Sequence, residues 1–360
     1  MMTLGESERL HQDAIVIDGL NASSLRAPAV LDRLHAGGIT AVHATVAAWQ
    51  GLAQTVTAIA DQYDILTREP GRLIPVREAS DILTAKVTDR VGVILGFQSA
   101  DPIEDNLRLL AVYHALGVRV IQLTNSAPNR LGSGYAATED SGLTSFGRDA
   151  IREMARLGIL VDVSHCGDKT TREAIEASEG PVAVTHANSR RFRDDIRNKP
   201  AEVLRALAEK GGVIGALAFP PVLTGQRTAT LEDYLAAIDD LVDLLGIDHV
   251  GLGPDFMEEM PRQVAREALS TLPEETAERF FEVHTTSGLE SIGEAGNITK
   301  GLLERGYAPD DIRKILGGNW LRLYQQVWKP VFPPREGVQI QALPGFGRRR
   351  SDRRPSVSAS

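Results

Sequence analysis

The sequence predicts an α/β protein folded as a single (β/α)8 TIM barrel, and two observations carry that expectation. Eight short runs rich in Val, Ile, Leu and Ala recur along the chain, alternating with longer segments of helical periodicity. Strands that read as continuous apolar runs are buried on both faces, as parallel strands are. Eight such alternations over roughly 300 residues point to a closed barrel more than to an open doubly wound sheet. An open sheet would also bind through a glycine-rich first turn, and no Gly-x-Gly-x-x-Gly follows a strand here.

The expected strands are residues 14–18, 40–46, 91–98, 118–124, 159–165, 181–187, 211–219 and 249–255. Between them, residues 101–115 open with Asp101-Pro102, an N-cap and N1 pair, and carry Leu107, Leu110 and Ala111 on one helical face. Residues 145–157 begin with Ser145 as a cap, but Arg148 stands where a capping box needs a glutamate. A final helical region covers 309–328, interrupted by Gly317-Gly318. Residues 1–335 form the one barrel domain. Residues 336–360 are an extension whose basic end, RRRSDRRPSVSAS, is expected to be disordered.

Composition narrows the class of function. With 360 residues, 42% hydrophobic and 24% charged, the chain reads as an ordinary globular protein. A net charge of −9 argues against a general nucleic-acid or anionic-membrane binder, since both favour basic surfaces. The single cysteine, Cys166, excludes an internal disulfide framework and fits a reducing compartment. The first residues lack a signal-peptide pattern, and no run approaches 18 apolar residues. The expectation is a cytoplasmic protein acting on a small molecule, with neither nucleic acid nor membrane as partner.

A barrel of this kind places its chemistry at the C-terminal strand ends. There the sequence puts Asp18-Gly19-Leu20-Asn21-Ala22, Gln98, Asn125, His165, His186 and Asp255, with His43 inside the second strand. Two histidines on adjacent strand ends, with an aspartate across the mouth, suit metal binding or acid–base work. His43 reads as packing, as a substrate hydrogen bond or as a replacement ligand. Cys166 follows His165 directly, so strand alternation turns it to the other side of the wall as an inert thiol. His11, His35, His114, His249 and His284 read as surface or packing residues.

Three stretches carry a resemblance: GLTSFGRDAIREMARLGILVDVSH at 142–165, THANSRRFRDDIRNKPAEVLRALAEKGGVIG at 185–215, and ILGGNWLRLYQQVW at 315–328. Together they resemble the membrane (renal) dipeptidase family of the amidohydrolase superfamily, in order and spacing from about residue 10 to residue 330. The resemblance implies a metal-dependent hydrolase barrel that binds two zinc ions and cleaves dipeptides, with a homodimer as its expected assembly. It implies metal-ligand roles for His165, His186 and Gln98, where the family has a bridging glutamate at the last. It implies substrate contacts for Arg197, which would take the substrate carboxylate, for Asn125, where the family has a histidine, and for Asn21. Asp255 would be the acid–base aspartate. The alternative for Arg197 is an ion pair with Asp194 or Asp195.

Three departures change the chemistry. The family's first-strand motif is Asp-Gly-His-Asn-Asp, but Leu20 and Ala22 stand at the histidine and second aspartate, and Gln98 replaces the bridging glutamate. Leu20 and Ala22 offer no donor, and Gln98 offers one neutral amide oxygen. Two dications without carboxylates would leave buried charge unbalanced. The sequence therefore predicts one zinc ion or none. Three functions remain open: a divergent hydrolase of a dipeptide-like or other small carboxylate-bearing amide, a metal-independent lyase or isomerase using Asp255 and the histidines, and a non-catalytic binder.

Overall fold

The computed structural model describes residues 5–260 and 285–329. In chain order its strands are β1 (Ile17–Asn21), β2 (Ala41–Ala47), β3 (Leu73–Pro75), β4 (Val91–Phe97), β5 (Val118–Gln122), β6 (Leu160–Asp162), β7 (Ala183–Val184), β8 (Val213–Ala216), β9 (Thr228–Thr230), β10 (Val250–Leu252) and β11 (Thr285–Ser287). Eight of them close a parallel ring in the order β1, β2, β4, β5, β6, β7, β8, β10, with β10 pairing back onto β1. This is the (β/α)8 barrel that the alternation predicts.

All eight expected runs overlap a barrel strand. The first is displaced: pairing begins at Ile17 and runs on to Asn21, three residues past the expected end at residue 18. A register shift against β2 between Asp18 and Asn21 admits this stretch. The short β3 was not expected from sequence. It pairs with Val91–Val93 of β4, while β5 takes the same strand from Leu95 onward.

The two layers of core follow from strand alternation. Val42, Val93, Leu95, Phe97, Val161 and Val184 pack outward against the helices. Ile17, Ala41, Ile94, Val120, Leu160, Ala183 and Val213 form an interior cluster together with Trp320, Leu323 and Tyr324 of the last helix, Asn319–Val327. That helix closes the N-terminal end of the barrel, and the Trp320 indole donates to the Leu252 carbonyl at 2.9 Å. The region expected to break at Gly317-Gly318 instead stays wound, as a π-helical segment Lys314–Gly318. A side chain at Gly317 would place its Cβ 2.5 Å from the Ile15 carbonyl oxygen, so glycine permits the helix to lie against β1.

Two helices differ in detail from expectation. Residues 101–115 are not one helix: Asp101-Pro102 starts a 3-10 turn, Asp101–Ile103, and the helix proper is Arg108–Ala115. Glu104 adopts a left-handed backbone (φ 52°) between them, which no helix can contain. The helix Ser145–Leu157 is capped by Thr144, not Ser145; its hydroxyl accepts from the Gly147 N–H at 2.9 Å. The extension 336–360 and His284 lie outside the described residues. Among those residues, no helix is long and apolar enough to cross a membrane.

Candidate active site at the C-terminal mouth of the barrel

His165 stands three residues beyond β6 and His186 two beyond β7, and the barrel brings them together. Their Nε2 atoms are 2.8 Å apart and their ring centroids 4.8 Å. A carboxylate anchors this pair from below. Asp162, the last residue of β6, accepts from the backbone N–H groups of Ser164 and Thr185 and from both their hydroxyls, Thr185 at 2.6 Å. The Thr185 oxygen also lies 2.8 Å from His186 Nδ1.

Hydrogen-bond counting assigns the tautomers. The Thr185 hydrogen goes to Asp162, so His186 Nδ1–H donates to Thr185 and its Nε2 carries a lone pair. His165 Nε2–H then donates to His186, and His165 Nδ1 is left buried without a partner. Burial pushes both imidazoles well below their ordinary range, and the nearby Arg197 charge adds to the shift. Both are neutral at pH 7.

Arg197 is buried and braces this arrangement: its two terminal nitrogens donate to the Ser164 and His186 carbonyls, each at 2.7 Å. Its backbone N–H, rather than its guanidinium, meets the Asp195 carboxylate. Each terminal nitrogen retains a second hydrogen for a ligand. Asp255, three residues beyond β10, has a left-handed backbone (φ 64°), a strained conformation that turns its side chain at the strand end. Burial raises its carboxyl to about 7, against the pull of Arg197. Asp18 is raised to about 8 by burial, with Asn21 and the Leu20 N–H opposing and Asp255 and Glu258 adding. Asp255 also lines a cleft of about 250 Å³ with Phe219, Phe256, Met257 and Glu258.

The remaining expected site residues each make hydrogen bonds within the strand-end loops. Asn21 Nδ2 donates to Asp18 and its oxygen accepts from the Ser23 N–H, both at 2.8 Å. The Asn125 oxygen accepts from the N–H and hydroxyl of Ser126, while its Nδ2 donates to the Gln98 carbonyl. Gln98 donates from Nε2 to Thr45 at 2.9 Å, which leaves its amide oxygen as the available donor atom. His43 Nδ1 donates to the Gly19 carbonyl at 2.7 Å, and its Nε2 lies buried against Gly96. Leu20 is fully buried, and the Ala22 N–H pairs with the Phe256 carbonyl. Cys166 is buried on the outer side of the wall, its thiol pushed up by burial.

Among the described residues, no group of three or more His, Cys, Asp or Glu side chains is placed to hold a metal. His43 already spends its Nδ1 on the Gly19 carbonyl. A single ion would draw on one nitrogen from each of His165 and His186, with the Gln98 amide oxygen as the third ligand, the count of an open catalytic site. His186 already has the tautomer that ligation needs. His165 would have to exchange its Nε2 hydrogen, and its nitrogen would have to withdraw from 2.8 Å to the roughly 3.4 Å that two ligands of a tetrahedral zinc keep.

Sequence reading missed four residues of this site. Asp162 was visible as a charge inside the apolar run ILVDVSH, and Thr185 as a hydroxyl directly before His186. Lys199 is fully buried, its amine lowered to about 8 by burial, and it donates to the Cys166 carbonyl beneath the His165 loop. Tyr135, whose ring lies 5.6 Å from that of His165, gave no signal, because a tyrosine in a long loop has many ordinary explanations.

Comparison with known proteins bears on the family and the fold. The family profile of membrane dipeptidase (Peptidase family M19) matches residues 6–279. The dipeptidase tcpJ of Claviceps purpurea is 29% identical over 74% of this chain, which spans 59% of that relative's length. An amidohydrolase from Pseudomonas aeruginosa superposes with a TM-score of 0.84 at 33% identity, covering 89% of this chain and 99% of its own. A metallo peptidase from Rhodobacter sphaeroides, liganded with a phosphinate mimic of the dipeptide L-Ala-D-Ala, shares the fold at a TM-score of 0.75 and 21% identity, covering 88% of this chain and 100% of its own. A (β/α)8 barrel with its histidine pair at the mouth, matched by that profile over most of its length, belongs to the membrane dipeptidase family.

Proposed function

We propose that this chain is a divergent dipeptidase-like hydrolase, acting on a dipeptide-like or other small amide with a free carboxylate and using at most one metal ion. The observation that carries the reading is the convergence of a neutral histidine pair, a buried arginine and a carboxyl raised to about 7 at one mouth of the barrel. Family membership supplies the class of bond; the relatives are named dipeptidases.

The residues divide the work. The remaining hydrogens of Arg197 face a substrate carboxylate, which a guanidinium recognises by paired donors. Asp255, raised to about 7, exchanges a proton near neutral pH: it takes one from the attacking water and returns it to the amine that leaves as the C–N bond breaks. Burial keeps His165 and His186 unprotonated, so they accept hydrogen bonds or hold a cation. A zinc ion held by His165, His186 and Gln98 would supply a polarised carbonyl and a water of lowered pKa, near 7 in zinc hydrolases.

The hydrogen bond within the histidine pair favours a second reading, in which Asp255 and the pair run acid–base chemistry without metal as a lyase or isomerase. A screen of L,L- and L,D-dipeptides and N-acyl amino acids, with and without added zinc, tests both. Zinc-stimulated release of free amino acids supports the hydrolase. Conversion without a new amine, unaffected by chelator, would overturn it. A cytoplasmic location without nucleic-acid or membrane partners completes the proposal, supported by the charge of −9 and the single buried cysteine, and a homodimer is what the family resemblance implies.

A further inference from the structure

We propose that the Tyr135 phenol is the hydrogen-bond donor to the reacting carbonyl oxygen of the substrate; this deepens the hydrolase reading and rests on it. The position that holds a substrate-contacting histidine in the resembled family is Asn125 here, and its side chain is tied to Ser126 and to the Gln98 carbonyl. The mouth thus lacks its donor at that place. Tyr135 supplies one from the same loop.

Backbone and ring contacts fix where it stands. The Tyr135 N–H donates to the His165 carbonyl at 2.8 Å, and the neighbouring Gly134 bridges to Cys166, so this loop is stitched to the strand end that carries His165. The phenol ring lies 5.6 Å from the His165 ring and 5.8 Å from the Arg197 guanidinium. A side chain at Gly134 would meet the backbone oxygens of Asn125 and Ser126, so the loop packs tightly just before the tyrosine. The Tyr135 hydroxyl accepts a long hydrogen bond from Ser126 Oγ at 3.3 Å, which the serine shares with its shorter donation to Asn125 at 2.9 Å, so the phenol oxygen is the acceptor in that contact. The phenol hydrogen is therefore free to turn toward a ligand. Developing negative charge beside Arg197 is where such a donor acts most strongly. Tyr135 is also partly exposed, as a substrate-facing group must be.

The test compares the full-length protein with Tyr135→Phe and Tyr135→Ala on the best dipeptide or N-acyl amino acid from the screen. Tyr135→Phe should lower kcat ten- to a hundredfold with KM within twofold and an unchanged melting temperature. Tyr135→Ala should lower kcat as far and also raise KM, because the ring is lost. An unchanged kcat in Tyr135→Phe overturns the proposal while leaving the hydrolase reading intact, and so does a rise in KM alone. If the wild type cleaves none of these compounds, calorimetric binding of a phosphinate dipeptide mimic, whose tetrahedral anionic oxygen stands in for the developing charge, decides. Tenfold weaker binding by Tyr135→Phe would keep the contact and remove the hydrolase; equal binding, or none by either protein, removes both.

Discussion

Thr185→Val is the most direct perturbation of the support beneath the histidine pair. Valine keeps the shape and removes one oxygen from a fully buried site. Two hydrogen bonds go with it, the 2.6 Å bond to Asp162 and the 2.8 Å bond from His186 Nδ1. A bond to a charged group contributes about 1.5–3 kcal/mol, and a buried donor left unpaired costs about 1–3 kcal/mol. The extra methyl recovers a little apolar burial, so a net loss of about 3 kcal/mol is expected. At about 2 °C per kcal/mol for a chain of this size, the melting temperature should fall by about 6 °C. Thr185→Ser, which keeps the hydroxyl, should fall by less than about 2 °C. Thermal unfolding followed by circular dichroism reads both. Equal melting temperatures for the wild type and Thr185→Val would refute the assigned chain Asp162–Thr185–His186.

Three further outcomes follow from the same geometry. Asp18, raised to about 8 in the fold, keeps a proton that the unfolded chain releases near pH 4. Its contribution is therefore full below about pH 4 and is lost as pH rises toward about 8; urea titrations should show this decline flattened in Asp18→Asn, and an identical slope would contradict the assignment. Asp255→Asn should lower kcat by about 10²–10⁴ on any amide the wild type cleaves, and the wild-type rate should rise through a limb near pH 7; full activity would remove Asp255 from the chemistry. The triple change Leu20→His, Ala22→Asp and Gln98→Glu should bind two zinc ions and gain dipeptidase activity, with Gln98→Glu alone tightening only one ion. A triple variant that holds no more zinc than the wild type would show that the strand-one backbone no longer presents ligands.

Much of this was legible in the sequence, and the reasons differ residue by residue. The barrel announced itself because parallel strands buried on both faces must be continuously apolar, and Val93, Leu95, Val120 and Val161 obey that rule. His165 and His186 were legible because a barrel collects strand ends at one mouth, and these two meet there. The first strand was placed too early because Asp18, Gly19 and Asn21 are poor strand formers, kept in the sheet by Asp18–Asn21 contacts that local preference does not see. Asn125 and Asn21 sat where substrate contacts were expected, yet an amide has both donor and acceptor, and nearby loop groups claim them first. Arg197 was expected either to face substrate or to pair with a carboxylate; nothing in the sequence signals that its forked donors also span two backbone carbonyls, which leaves a second hydrogen on each terminal nitrogen. Tyr135 belongs to the site only through contacts made across the loop.

Metal content tests the central claim most directly. Protein purified without chelators, then analysed by elemental mass spectrometry, should contain one zinc equivalent or less, and His165→Ala and His186→Ala should each abolish what is bound. Two tightly held equivalents in the unmodified protein, surviving either substitution, would contradict the account of the mouth given by Leu20, Ala22 and Gln98.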